Sequence, residues 1–140
     1  MFLDKSAKKK IVDAITKAEH ETSGEIRVHI SSRAKQDALE EARKVFHRLG
    51  MHRTEHRNGV LIFIAPKTRT FAILGDKAIH EKVGDHFWNS TRDTMASHFS
   101  KNQIAEGILA GVASAGGELK RHFPGRNDGK NELPDEVTFS

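Results

Sequence analysis

The chain contains no cysteine among its 140 residues. A disulfide framework, a thiolate metal site, an iron–sulfur cluster and a cysteine nucleophile are therefore excluded by inventory. It also lacks any apolar run near the roughly 18 residues a bilayer-spanning helix needs, so membrane insertion is not expected. The opening Met1-Phe2-Leu3-Asp4-Lys5 turns to charge instead of an apolar signal segment, and the expected location is the cytoplasm. A large charge excess is missing too: 23 Lys and Arg against 19 Asp and Glu leave only +4, with both signs interleaved. The one basic run, Lys8-Lys9-Lys10, reads as a solvated helix face, and nucleic acid is not an expected partner. What is present suits a folded domain. Hydrophobic residues make up 36% and charged residues 30%, and the length is enough for one core.

The periodicity of the chain changes several times. Ser6 to Thr22 has helical spacing through Ile11, Ile15 and Ala18, with Ser6 the expected N-cap and Gly24 the expected left-handed stop. Glu25-Ile26-Arg27-Val28-His29-Ile30 alternates as a strand does. Gln36 to Leu49 returns to helical spacing and ends at Gly50. Val60 to Ala65 is an unbroken apolar run, expected in the middle of a covered sheet. Pro66-Lys67-Thr68 is short enough to force an antiparallel hairpin with a strand over Arg69 to Leu74. Two long helices follow, His80 to Phe99 and Gln103 to His122, the second interrupted by Gly107, Gly111, Gly116 and Gly117. Residues 1–124 thus read as one α/β domain with four main helices and a small mixed sheet. Three strands are clear and a short fourth is compatible with the loops. Residues 125–140 read as a polar loop and an acidic tail.

This topology gathers oxygen donors. Strands one and two run parallel, so Glu25 and Asn58-Gly59 begin at one rim, and the reversed third strand brings Gly75-Asp76 back to it. Glu25, Asn58 and Asp76 would there offer carboxylate and amide oxygens, the ligands hard divalent cations prefer. Each also has an ordinary reading: Glu25 follows a helix end, Asn58-Gly59 suits a turn, and Asp76 suits an N-cap. Other constellations are weaker. His52 and His56 have the i, i+4 spacing of zinc ligands but sit in a polar stretch that reads as a loop. His29 reads as packed under a helix, and Phe87, Trp88 and Phe99 read as core. No catalytic residue is assigned.

Taken in order, Thr22-Ser23-Gly24-Glu25-Ile26-Arg27-Val28, Arg57-Asn58-Gly59 with Val60 to Ile64, Arg69 to Asp76, Phe87-Trp88 and the Asn131 to Glu136 tail resemble the TPM domain. The tail is similar to that of a bacterial subgroup made of little more than this domain. The resemblance implies an α/β/α sandwich associated with divalent cations, calcium especially and magnesium as the alternative. Relatives implied by it include a thylakoid-lumen protein linked to weak acid phosphatase activity and photosystem II repair, and an accessory protein of a nematode acetylcholine receptor. Such diversity means that fold alone does not choose a function. Three expectations follow. The first is a non-enzymatic adaptor or regulatory domain binding calcium through Glu25, Asn58 and Asp76. The second is a weak metal-dependent acid phosphatase, with His80 or Arg57 as auxiliary groups. The third is a module that docks an unidentified protein through Glu132, Asp135 and Glu136, against the alternative that the tail folds back over a sheet edge.

Overall fold

A computed structural model describes residues 3–33, 37–84, 88–125 and 137–140. The sheet begins where the alternation in sequence does. β1 (Glu25–Ile30) pairs in parallel with β2 (Gly59–Ala65), and β2 pairs antiparallel with β3 (Thr70–Gly75) through the turn Pro66–Thr68. A fourth strand, β4 (Thr138–Phe139), lies parallel to β1 on its other side, giving the order β3-β2-β1-β4. The end of the tail therefore covers a sheet edge. Its acidic residues Glu132, Asp135 and Glu136 lie outside the described residues.

Alternation sorts the strand side chains into two cores. Ile26, Val28, Ile30, Val60, Ile62, Ile64 and Ile73 face one side. There they meet Ile11 and Ile15 of α1 (Lys5–Glu19), Met95 of α4 (Trp88–Ser100) and Ile108, Val112 and Leu119 of α5 (Ile104–His122). Leu61, Phe63, Ala65 and Ala72 face the other side against Ala42, Val45 and Phe46 of α2 (Ala38–Arg48). The result is an α/β/α sandwich. Every residue of β2 is buried, as the unbroken apolar run requires.

Three local expectations need correction. The cap of α1 is Asp4, whose Oδ1 accepts from the Ala7 N–H at 2.7 Å; Ser6 lies inside the helix. Gly24 is not left-handed, since α1 ends at His20 in helical geometry. The glycine provides room instead: a β-carbon there would sit 2.7 Å from Leu119 Cδ2. The third sequence-expected helix is two helices among the described residues. α3 (Lys77–Val83) stops at Gly84, whose φ of 77° suits glycine, and α4 starts at Trp88. Hydrophobic spacing continues across the break, which is why the sequence reads as one helix. Gly111 of α5 permits close approach: a β-carbon there would lie 2.8 Å from Met95 Sδ and 3.2 Å from Ile62 Cδ1.

Candidate functional site

The strand register builds one rim from three distant segments. Glu25 pairs with Gly59 across β1 and β2, and Val60 pairs with Gly75 across β2 and β3. The Asp76 N–H donates to the Gly59 carbonyl at 2.8 Å. Glu25, Asn58 and Asp76 thereby stand at neighbouring backbone positions, and all three are buried, at 0%, 1% and 6% exposure. Their side chains differ in what they meet.

Asp76 has two structural roles. As the N-cap of α3 it accepts from the Lys77 N–H at 2.7 Å through Oδ1. Its carboxylate also faces Arg57 edge on, with Nε 2.8 Å from Oδ2 and Nη2 2.9 Å from Oδ1. This is the two-pronged guanidinium–carboxylate pairing that fixes orientation as well as charge. The pair is lopsided: the Asp76 side chain is 5% exposed and that of Arg57 is 49% exposed. The hydrogen bond it donates to Asp76, with the Asp76 charge, holds the Arg57 guanidinium above its usual pKa.

Arg57 owes its position to the backbone. Its φ of 50° is left-handed. Its N–H donates to the Thr54 carbonyl at 3.3 Å, and its own carbonyl accepts from the Ala78 N–H of α3 at 2.9 Å. Loop, strand and helix are thus pinned together at the residue before Asn58.

Asn58 is half satisfied. Its Nδ2 donates to Ser23 Oγ at 3.2 Å, whereas its Oδ1 is buried with no donor among the described residues. Thr54 Oγ1 and His52 Nδ1, in the loop just before it, are also buried without partners. The His52 ring lies 4.3 Å from that of His47. Its pKa is lowered by burial first, then by the charges of His47, Arg53 and Arg57, with Asp76 opposing. Among the described residues no three His, Asp or Glu side chains are grouped to hold a metal ion. His52 lies in the single 3-10 turn Met51–Arg53 and His56 beyond it, so their spacing does not put them on one helical face.

Two features escaped the sequence reading. One is the Arg57–Asp76 pair, signalled only by opposite charges at two ends of the same rim. The other is the use of His29, which is 2% exposed beside β4 and bonded to hydroxyls of the tail. At the opposite rim, a cavity of about 530 Å³ is lined by Ile64, Phe71, Phe99 and Ile104 together with Arg69. Among the described residues no helix is long and apolar enough to cross a membrane.

Residues 1–118 match the TPM domain. The chain is similar in structure to the BA42 protein of the psychrophilic bacterium Bizionia argentinensis. The two share 41% identity at a TM-score of 0.90, over 100% of this chain and 97% of that one. The N-terminal domain of a protein from P. gingivalis shares the fold, with a TM-score of 0.70 at 18% identity, covering 95% of this chain and 81% of that one. No curated protein matches the chain.

Proposed function

The chain belongs to the TPM domain family, and from that premise we propose that it binds a divalent cation, calcium or magnesium, as a non-enzymatic adaptor or regulatory domain. The ligands in this reading are Glu25, Asn58 and Asp76, completed by main-chain oxygens and water. The observation that carries it is the Asn58 Oδ1 atom, buried at the rim without a donor among the described residues. Leaving such an acceptor unsatisfied costs about 1–3 kcal/mol, and a hard cation is a partner that an amide oxygen can take. Asp76 adds support. Its carboxylate stands at this rim and is able to hold a positive charge, which in the ion-free protein is that of Arg57. The donor set also fits calcium better than zinc, since it consists of oxygens alone.

Calcium titration of the 15N-labelled chain tests the proposal. Amide shifts should move around Ser23–Glu25, Arg57–Val60 and Gly75–Ala78, and the melting temperature should rise. Saturation at 100 times the dissociation constant corresponds to about 2.7 kcal/mol of added stability. Asp76→Ala should remove both responses. Millimolar calcium that leaves these amides unmoved, or moves only others, overturns the proposal.

A further inference from the structure

Resting on that cation reading, we propose that Arg57 is a built-in competitor of the ion. Its guanidinium neutralises Asp76 when no ion is bound and leaves for solvent when one binds, so this exchange sets the affinity.

Both oxygens of the Asp76 carboxylate are engaged by the guanidinium, and Oδ1 also accepts from the Lys77 N–H. A cation approaching the same edge meets a positive group already seated there, and the two repel at contact distance. One of them has to go. The burial asymmetry says which: Asp76 is fixed in the fold as a helix cap, while half of the Arg57 side chain is already in water. The exchange needs no backbone motion. The Thr54 carbonyl and the Ala78 N–H hold the Arg57 main chain, so its side chain can swing while Asn58, the next residue, stays in place.

Charge favours the exchange: Arg57 brings one positive charge to the Asp76 carboxylate, whereas a divalent ion brings two. The guanidinium thus keeps the carboxylate from being a lone buried charge in the ion-free state, and lowers affinity by the work needed to displace it. A lysine would hold Asp76 less firmly, because it lacks the planar fork.

The test compares the full chain with Arg57→Gln and Arg57→Lys, using calcium chloride with calorimetry and 15N NMR. Arg57→Gln should bind calcium at least tenfold more tightly than the parent chain, and Arg57→Lys should fall between them. In the parent chain the Arg57 Nε–Hε resonance should move on calcium addition toward the position of a solvent-exposed arginine. Equal dissociation constants for the parent and Arg57→Gln overturn the exchange and leave the cation reading standing. An Nε–Hε resonance that stays put while the neighbouring amides saturate also overturns it. Absence of binding in every form overturns the cation reading and the exchange together. If Arg57→Gln does not fold, Arg57→Lys and the Nε–Hε resonance decide the matter by the same criteria.

Discussion

His29 Nδ1 lies 2.7 Å from Thr138 Oγ1, joining the first strand to the last across nearly the whole chain. The other ring nitrogen, Nε2, lies 2.8 Å from Ser140 Oγ, and the ring stacks on Phe63 at 5.9 Å between centroids. One imidazole thus holds two residues of the tail. Hydroxyls can accept from either nitrogen, so these bonds do not forbid protonation. Burial does, with the charges of Arg48 and Arg27 adding to it, and the His29 pKa falls from 6.5 to about 4.

A pH dependence of stability follows from that shift. Between pH 6.5 and 4 the unfolded chain takes up a proton at His29 that the folded chain refuses. Stability from this residue is therefore complete above pH 6.5 and is lost as pH falls through that window, by about 3 kcal/mol in all. Urea denaturation at pH 7, 5.5 and 4 should show the parent chain losing more than His29→Gln does. Parallel losses in the two proteins would remove His29 as the cause.

The tail should contribute through backbone and core more than through its aromatic residue. Val137 is 9% exposed, the Ser140 N–H donates to the Ile30 carbonyl at 3.0 Å, and the Ser32 N–H donates to the Ser140 carbonyl at 2.8 Å. Phe139 is 50% exposed, with Lys8 Nζ 5.3 Å from its ring centroid. Deleting residues 137–140 should cost about 2–4 kcal/mol by thermal unfolding, whereas Phe139→Ala should cost less than about 1 kcal/mol. The deletion also bares the β1 edge, so size-exclusion chromatography should show more self-association than in the parent chain.

The sheet was legible wherever one rule governed a whole segment. Strict alternation placed β1, an unbroken apolar run placed β2, and the short Pro66–Thr68 link set the direction of β3. From those directions alone Glu25, Asn58 and Asp76 could be assigned to one rim. Features that depend on a single residue or on a remote partner were not legible. Gly84 splits α3 from α4 without interrupting the hydrophobic spacing. β4 is two residues long, too short for any period, and it pairs with β1 at His29, more than a hundred positions away. The Arg57–Asp76 pair forms across the β2–β3 hairpin, and the residue carrying the guanidinium is in a backbone conformation that arginine seldom adopts.

Adjacent glycines in α5 should respond oppositely to alanine. A β-carbon on Gly116 would lie 2.8 Å from the Ala18 β-carbon, which is attached directly to the backbone of α1 and cannot rotate away. Gly116→Ala should therefore push α1 from α5 and destabilise by about 1–3 kcal/mol. A β-carbon on Gly117 meets open space on the exposed face of the same helix. Gly117→Ala should stabilise by about 1 kcal/mol, the propensity difference in a helix interior. Thermal melts of the two variants beside the parent chain check both signs.

The clearest charge test of the rim lies at Asn58, because replacement by aspartate keeps the shape while adding a charge and exchanging the amide donor for an acceptor. The residue is 1% exposed and its Oδ1 has no donor among the described residues, while the Nδ2 bond to Ser23 Oγ at 3.2 Å is the contact the change alters. Without a cation, Asn58→Asp should be less stable than the parent, since a buried carboxylate is added beside Glu25 and Asp76. With calcium the order of affinities should reverse that loss. A third carboxylate should tighten binding about tenfold, equivalent to about 1.4 kcal/mol, and the calcium-induced rise in melting temperature should exceed that of the parent. If the rim is not a cation site, the variant loses stability and calcium restores none of it. Melting curves with calcium and with a chelator, on both proteins, separate those outcomes in one experiment.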